Sequence, residues 1–417
     1  IEPNVFLLTD NSGSMDWEVT IRNRDQGLFH MPDVDAISNN YRAYIFPNGV
    51  HWADTDSQYG RIVPSEEAVL TQLGTTSDPY GVWRVRYSGY NAQYYNPDVT
   101  YLPWKGVDSQ DTPAVFANST PDSALYDAWL PAGDTENLTQ VLADYTAQAP
   151  TSTTDNTPTN ITVTNYFPAR YYTWTDTDSD GVIDATDGHN RVEIKPAGSG
   201  GSDSYTRAVL NETTGFGRSD CGEDTDLDGF VSCSYALEIQ NFANWFTYYR
   251  KRDLATKAAI SQALEATAFA RVGMATINDT SSHRIGVASM NASTSTGNKK
   301  SLLDTLFDQS PTDGGTPLRD NLDKTGLYYT CDGSSGNSND IFGGSAGCPR
   351  LSTAAGSCQQ NYAILMTDGY YNGEWDEDYD PAYNDNHDGD GNTDFDGGSF
   401  AASEVYTLAD IAMHYYE

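Results

Sequence analysis

The chain has 417 residues, with 23 lysines and arginines against 59 aspartates and glutamates, which gives a net charge of −36. A surface this acidic repels nucleic acid and anionic lipid, so we expect neither as a partner. Aromatic residues make up 12% of the sequence. This content excludes a disordered acidic chain and predicts a folded protein with a sizeable core.

The first predicted element is a buried parallel strand over residues 5–9, a continuous apolar run that ends in a polar loop at 10–14. From residue 16 to residue 241 the sequence is rich in Tyr, Thr, Asp, Asn, Gly and Pro. This composition predicts a mostly β or irregular lobe with many turns. Within the lobe, residues 136–149 are the most plausible helix.

Helix-forming segments return after residue 242 and alternate with strands. The sequence predicts helices at 254–270, 301–307, 317–328 and 402–416, and strands at 284–290 and 363–367. Gly273 is predicted to stop the first of these helices. Thr316 is a candidate N-cap for the helix that starts at Pro317.

This alternation predicts an α/β fold with a mainly parallel sheet flanked by helices. Residues 1–15 and 242–417 would form that discontinuous domain, with 16–241 as a large inserted lobe. Two smaller insertions are predicted at 331–360 and 374–400. No apolar run approaches the roughly 20 residues of a membrane-spanning helix, so we expect no membrane span.

Oxygen-bearing side chains follow two predicted strands and open one predicted helix. Asp10, Ser12 and Ser14 follow the first strand, Asp368 follows the strand at 363–367, and Thr316 lies in a tight loop. Ligands of open α/β sheets bind beyond the carboxyl ends of the strands. Two carboxylates with three hydroxyls suit a hard divalent cation, so we expect Mg²⁺, Mn²⁺ or Ca²⁺ here.

One coordination position would remain for water or for a carboxylate from a partner. The alternative is that the two serines cap a turn and that Asp368 merely ends a strand. Taken in order, the five residues resemble the metal-ion-dependent adhesion site (MIDAS) of von Willebrand factor A (vWA) domains at all five usual positions. The resemblance implies a Rossmann-like vWA fold. Asp10, Ser12, Ser14, Thr316 and Asp368 are called the MIDAS set below.

Three Asp-rich segments resemble the calcium loop of EF-hands, without flanking helices. Asp loop 1 (residues 176–187) has carboxylates at positions 1, 3, 5, 9 and 12, Gly at position 6 and a backbone carbonyl at position 7. Its predicted ligands are Asp176, Asp178, Asp180, Val182, Asp184 and Asp187. The final Asp is shorter than the usual Glu, which weakens closure of the loop.

The other two segments fit less completely. Asp loop 2 (residues 224–232) repeats the first nine positions, with predicted ligands Asp224, Asp226, Asp228, Phe230 and Ser232. Asp loop 3 (residues 386–396) starts with Asn, and its predicted ligands are Asn386, Asp388, Asp390, Asn392 and Asp394. We expect Ca²⁺ at one to three of these loops. The alternative is that they are solvated acidic turns.

Five cysteines are present, and none has zinc-site spacing. Cys221 and Cys233 flank Asp loop 2 and predict a local disulfide. Cys331, Cys348 and Cys358 predict one further pair and one remaining thiol. Disulfides indicate export, whereas five unpaired thiols would indicate a cytosolic protein. The sequence starts at Ile1, so we expect either a removed targeting segment or a fragment.

The sequence contains no HExxH and no P-loop, so we expect no enzyme. Aromatic clusters at 94–97 and 101–104 are of a kind that stacks on sugars, but we expect them to be core residues.

Four segments, at 3–15, 94–104, 241–250 and 361–369, resemble the amino-terminal part of the PilY1-type family of type IV pilus tip adhesins and assembly factors. The metal motif is shared with vWA domains at large. The Tyr-Tyr-Asn-Pro segment at 94–97 and the Asn-Trp-Phe-Thr-Tyr-Tyr-Arg segment at 244–250 are specific to this family.

The resemblance implies export through the periplasm to an extracellular site at the pilus tip, with minor pilins as partners. It also implies roles in pilus assembly and adhesion. Our preferred hypothesis is an adhesin that binds a host or abiotic surface through the metal. The alternatives are a non-adhesive, calcium-rigidified cap that primes pilus assembly and, less favoured, an unrecognised glycan-acting enzyme. The family's carboxy-terminal propeller is not among these residues, so we expect a fragment.

Overall fold

The computed structural model describes residues 1–21, 43–49, 62–130, 133–153, 158–183, 187–278, 282–312, 314–330, 338–351, 356–369 and 407–416. The chain divides into two compact units. The sheet unit contains Ile1–Met15, Lys105–Val115 and Ala259–Glu417, and the hairpin unit contains Asp16–Trp104 and Phe116–Ala258. The predicted boundary after residue 15 lies at the first division. The division that corresponds to the predicted boundary at 241/242 lies at 258/259, and residues 105–115 of the predicted lobe belong to the sheet unit.

The strands, in chain order, are β1 (Asn4–Thr9), β2 (Lys105–Val107), β3 (Pro113–Val115), β4 (Ala124–Leu125), β5 (Thr135–Glu136), β6 (Tyr145–Pro150), β7 (Pro158–Val163), β8 (Arg170–Thr175), β9 (Gly188–Glu193), β10 (Ser204–Ala208), β11 (Phe230–Ser234), β12 (Arg271–Thr276), β13 (Arg284–Ser289) and β14 (Asn361–Met366). The α-helices are α1 (Glu66–Leu73), α2 (Tyr235–Tyr248), α3 (Arg252–Ala266), α4 (Asn298–Asp308), α5 (Leu318–Tyr329) and α6 (Leu408–Tyr416). No helix among the described residues is both long and apolar enough to span a bilayer.

The sheet unit is built on a four-stranded sheet in the order β13-β12-β1-β14. β1 runs parallel to both of its neighbours, whereas β13 pairs antiparallel with β12. The α/β class is therefore as predicted, but the sheet is mixed. The predicted strand at 284–290 is the antiparallel member, because it returns directly from β12 through a short connection.

β12 is the strand that the sequence prediction missed. The helix predicted to continue to residue 270 ends at Ala266, and Gly273 lies inside β12 rather than stopping a helix. The pairing with β13 has a bulge between Val272 and Met274. A Cβ at Gly273 would lie 2.7 Å from the carbonyl oxygen of Ile285. This glycine is needed because the two backbones approach closely at the bulge.

The helices of the sheet unit cover and cap this sheet. Phe6 and Leu8 of β1 pack with Leu318 and Tyr328 of α5 on one face. Pro317, rather than Thr316, is the N-cap residue of α5, and its backbone is not helical. The hairpin β2–β3 belongs to this unit because buried Asp111 accepts hydrogen bonds from the backbone N–H groups of Gly297 and Lys300 at the start of α4.

The hairpin unit consists mainly of two-stranded antiparallel pairs, as the composition predicts. The pairs are β4–β5, β6–β7, β8–β9 and β10–β11. The helix predicted at 136–149 is wrong. The segment instead enters β6, and the Leu142 N–H donates to the carbonyl oxygen of Tyr166. Tertiary pairing with β7 overrides the local helix preference. The short helix α1, capped by Ser65, was not predicted.

The aromatic segments that resemble the pilus family lie in the core of the hairpin unit. Tyr94 and Tyr95 are buried against Trp245 and Phe242 of α2, with ring centroids 4.9 Å apart for Tyr94–Trp245 and 5.0 Å apart for Tyr95–Phe242. The Asn241 side chain donates to the Tyr95 hydroxyl. The expectation that these rings are core residues is confirmed.

A buried carboxylate ties this core to two arginines. Glu238 of α2 is fully buried and accepts hydrogen bonds from Arg207 at 2.6 Å, from Arg218 at 2.9 Å and from the Tyr95 hydroxyl at 3.1 Å. Such a cluster is stable only while every charge keeps its partner, because an uncompensated buried ion is costly.

We predict that Glu238→Ala lowers the free energy of unfolding by about 3–5 kcal/mol, since it removes the carboxylate that pairs with Arg207 and leaves Arg218 with Asp220 alone of its two carboxylate partners among the described residues. Urea denaturation followed by tryptophan fluorescence measures this change. The matched control is Asp122→Ala, which removes an exposed carboxylate of the same unit and should change stability by less than about 0.5 kcal/mol. Equal losses in the two variants would contradict this role for Glu238.

Candidate metal centre

The carboxyl ends of β1 and β14 bring two predicted ligands to one edge of the sheet. Thr9, the last residue of β1, lies opposite Met366, the last residue of β14. The Asp10 N–H donates to the Met366 carbonyl oxygen at 2.9 Å. Parallel pairing therefore continues one residue beyond β1, so that Asp10 and Asp368 emerge from neighbouring strands on the same edge.

The two serines connect these carboxylates. Ser14 Oγ donates to Asp368 Oδ1 at 2.9 Å, and Ser12 Oγ lies 3.3 Å from Ser14 Oγ. The Ser12 N–H donates to Asp10 Oδ1 at 2.7 Å. A 3₁₀ turn that begins at Gly13 folds the loop so that both hydroxyls point to one place. The structure thus brings together four of the five residues in the MIDAS set.

Two asparagines connect the loop that carries Thr316 to this edge of the sheet. The Asn278 N–H donates to Asn11 Oδ1 at 3.0 Å, and the Asn278 side chain donates to the Gly315 carbonyl oxygen at 2.7 Å. A Cβ at Gly314 would lie 2.5 Å from the Asn278 side chain, so a larger residue there would displace this asparagine. Thr316 itself is only 5% exposed. The loop that carries it is therefore tied to the Asp10 loop.

Asp10 is a buried carboxylate without a cationic partner among the described residues. It is 4% exposed and accepts hydrogen bonds from the Ser12 N–H and, at 2.6 Å, from the Thr367 hydroxyl. Burial of a carboxylate that no countercharge compensates is costly. The two carboxylates and three hydroxyls of the MIDAS set are donors of the kind that a hard divalent cation takes.

Sequence reasoning missed Asn11, Asn278 and Thr367, which position the MIDAS set rather than belong to it. Asn11 occupies a variable place in the Asp-x-Ser-x-Ser pattern, and Asn278 follows the strand that was not predicted. Thr367 stands directly before Asp368, and this adjacency is the signal in the sequence that could have identified it.

Asp loop 1 connects β8 with β9 and gathers three of its predicted ligands. Oxygen atoms of Asp176, Asp178 and Asp180 lie within 4.8 Å of one another. The Gly181 N–H donates to Asp176 Oδ2 at 3.1 Å, and Gly181 has a φ of +75°, which glycine adopts readily. The Val182 N–H donates to Asp180, so Val182 lies at the turn of the loop.

The end of Asp loop 1 closes on its own hairpin. Asp187 accepts hydrogen bonds from the Trp174 indole at 2.8 Å and from the Thr177 N–H at 3.0 Å. These hydrogen bonds stabilise the base of the loop. Asp184 lies outside the described residues, as do all the predicted ligands of Asp loop 3.

Asp loop 2 repeats the same local geometry before β11. Oxygen atoms of Asp224, Asp226 and Asp228 lie within 4.8 Å of one another, and the Gly229 N–H donates to Asp224 Oδ2 at 2.8 Å. That backbone hydrogen bond lowers the pKa of Asp224. A hydrogen bond with Asp224, together with repulsion from Asp228, raises the pKa of Asp226. Asp224 and Asp228 are thus close enough to Asp226 to affect its protonation.

The remaining predicted ligands of Asp loop 2 belong to β11. Phe230 starts the strand, and its N–H donates to Asp228 Oδ1 at 2.8 Å. Ser232 lies opposite Thr206 in the pairing with β10. A role for either residue as a ligand stays a prediction.

A disulfide joins Cys221 and Cys233, as predicted, with their Cα atoms 4.6 Å apart. It brackets Asp loop 2. Cys348 is also disulfide-bonded. Cys331 lies outside the described residues, so the pairing in that region stays a prediction.

The chain is similar to type IV pilus biogenesis factors named PilY1 from Pseudomonas aeruginosa. It is 32% identical over 192 residues to that of strain PAO1, a match that covers 42% of this chain and 15% of the relative. It is 33% identical over 199 residues to that of strain PAK, covering 45% and 16%. It is 26% identical over 342 residues to that of strain UCBPP-PA14, covering 79% and 24%.

The chain thus spans less than a quarter of the length of these relatives. No family model matches it, and no solved structure matches it. The vWA fold therefore stays an inference from the residues of the MIDAS set. The three similarities indicate the same family as the resemblance seen in the sequence segments. The chain is a PilY1-type relative of the type IV pilus biogenesis factors.

Proposed function

We propose that the chain is a type IV pilus-associated surface protein whose sheet unit binds a carboxylate-bearing ligand through a divalent cation. The cation would be Mg²⁺, Mn²⁺ or Ca²⁺, held by the MIDAS set. The observation that carries this proposal is the buried Asp10 carboxylate, which no cationic side chain of the described residues compensates. A location at the pilus tip, with minor pilins as partners, is part of the same proposal and rests on the family resemblance of the sequence.

The charge of the chain makes the metal essential to this mode of binding. At a net charge of −36, an incoming carboxylate meets repulsion at long range. A cation among Asp10, Asp368 and the hydroxyls would locally reverse the sign of the charge and offer a coordination position to the ligand. Binding to a host or abiotic surface should then require both the cation and an intact MIDAS set.

We predict that Asp10→Ala lowers the affinity of the sheet unit for divalent cations by more than about 100-fold, because it removes a charged ligand. Isothermal titration with Mg²⁺ and Mn²⁺ measures this change in affinity. Adhesion of the purified protein to host cells or coated surfaces should fall with it. The matched control is Asp304→Ala, which removes an exposed carboxylate that pairs with Lys300. Adhesion that survives both Asp10→Ala and chelation would contradict the proposal.

Thr367→Val tests whether the Thr367 hydroxyl holds the metal ligand Asp10 in place. The substitution keeps the shape of the side chain and removes the hydroxyl that donates to Asp10 Oδ2. We predict a 10- to 100-fold loss of metal affinity, about the effect of removing an outer hydrogen bond from a metal ligand. Titration of the variant measures it, with circular dichroism to confirm folding. Unchanged affinity would show that Asp10 is positioned without Thr367.

A second candidate function is a calcium-rigidified structural cap that supports pilus assembly. The observation that favours it is the repeated geometry of Asp loops 1 and 2, in which a glycine N–H binds the first carboxylate. Each loop precedes a strand of a hairpin, so bound Ca²⁺ would stiffen the hairpin unit. An enzymatic role, on glycans or otherwise, is not part of either proposal.

Terbium luminescence tests the calcium proposal loop by loop. Tb³⁺ takes oxygen ligands as Ca²⁺ does, and the Trp174 indole bonded to Asp187 lies close enough to sensitise an ion in Asp loop 1. We predict that Asp176→Ala abolishes this sensitised emission, whereas Asp224→Ala in Asp loop 2 leaves it. Trp174→Phe should remove the emission, and it should also weaken calcium binding because it removes a hydrogen bond to the predicted ligand Asp187. Emission that is insensitive to Asp176→Ala would rule out a site in Asp loop 1.

Complementation of a strain that lacks the protein separates the two functions. An adhesin predicts that Asp10→Ala leaves pilus number unchanged and reduces attachment. A structural cap predicts that the double variant Asp176→Ala and Asp224→Ala lowers pilus number. Normal pilus number without the protein would exclude the cap.

A further inference from the structure

A lysine in the hairpin unit is buried without a hydrogen-bond partner. Lys257 of α3 is 3% exposed, and no acceptor among the described residues lies within hydrogen-bonding distance of its Nζ atom. Its neighbour Lys251 differs, because its ammonium group bonds directly to Asp16. Native proteins rarely leave a buried polar group unsatisfied, so Lys257 calls for an explanation.

Two carboxyl groups flank this lysine just beyond hydrogen-bonding distance. Asp127 Oδ2 lies 3.9 Å from Lys257 Nζ, and Asp253 Oδ2 lies 3.8 Å from it. Asp253 Oδ1 also has no hydrogen-bond partner among the described residues. The ring of Trp104 lies 5.6 Å from the nitrogen and contributes an apolar wall. Three ionisable groups therefore lie around one small volume, and one atom in each of two of them, Lys257 Nζ and Asp253 Oδ1, lacks a hydrogen bond among the described residues.

The two carboxyl groups differ in how they are held. Asp127 Oδ1 accepts a hydrogen bond of 2.8 Å from the Trp129 N–H, which polarises its carbonyl and leaves Oδ2 facing Lys257. A backbone donor placed in this way stabilises negative charge that develops on an oxygen under nucleophilic attack. Asp253 lies one helical turn before Lys257, and burial raises its pKa to about 6. A carboxyl group with such a pKa exchanges protons readily near neutral pH.

We propose that Lys257 and Asp127 form an intramolecular isopeptide bond, with Asp253 as the proton carrier. Such a bond would satisfy the buried nitrogen of Lys257 and would link α3 covalently to the turn after β4. The long, flexible lysine stem gives the nitrogen enough freedom to reach the Asp127 carbonyl carbon.

The reaction balances without an oxidant or another reactant. The Lys257 ammonium group passes one proton to the Asp253 carboxylate, and the neutral amine attacks Cγ of Asp127 to form a C–N bond. Asp127 Oδ2 then receives the proton from Asp253 and a second proton from the attacking nitrogen. The C–O bond to Oδ2 breaks, and this oxygen leaves as water. Asp253 ends as it began, and burial favours the neutral amide over the two separate charges.

Mass spectrometry of the full chain, purified from cells, reduced and denatured, tests the proposal. We expect an intact mass lower by one water than the sequence requires. Proteolysis should give one branched peptide that joins residues 127 and 257, with no tryptic cleavage after Lys257. Fragmentation of that peptide locates the bond independently of any variant.

Variants separate this bond from other losses of water. Lys257→Arg and Asp127→Ala should each restore the full mass. Asp253→Ala keeps both reacting groups and should slow bond formation by about 100-fold or more. The matched control Asp122→Ala should still lose water. A wild-type chain of full mass would overturn the proposal. So would a loss of water placed by fragmentation at an Asp-Gly pair such as Asp180-Gly181, or between Lys257 and Asp253.

Discussion

Parallel pairing of β1 with β12 and β14 is the constraint on which the rest of the sheet unit depends. The register places Thr9 opposite both Thr276 and Met366, so the three strands end together. Every loop that follows them starts from the same edge, and the candidate ligands meet there although they are far apart in sequence. A shift of this register by one residue would turn the side chains of β1 to the opposite face and separate Asp10 from its partners.

Much of this edge is predictable because its signals are local. The run Val-Phe-Leu-Leu predicts a buried strand, and the polar residues directly after it predict a ligand loop. The parts that were not predictable depend on distant partners. Gly273 indicates a helix stop in sequence, yet the structure needs it where two strands crowd at a bulge. Asn278 has no motif at all, and its role arises only because Asn11 faces it across the loops.

The hairpin unit holds the family-like aromatic residues in its core. Its family-like aromatic segments are buried, and the Tyr95 hydroxyl bonds to the carboxylate of Glu238. The fold needs these core residues whatever ligand the chain binds. The groups that would meet a ligand lie in loops instead, in the MIDAS set and the Asp loops. The helix predicted at 136–149 fails for a related reason, since contacts from Tyr166 and β7 decide that segment.

We propose that the MIDAS set holds a divalent cation. A crystal structure of the protein grown with Mn²⁺, with anomalous difference density recorded at the manganese edge, tests it most directly. We expect an anomalous peak within about 2.5 Å of oxygen atoms from Asp10, Ser12 and Ser14, with Thr316 and Asp368 bound to the ion directly or through water. Anomalous peaks confined to the Asp loops, with Ser14 still bonded to Asp368 and no peak beside Asp10, would contradict it.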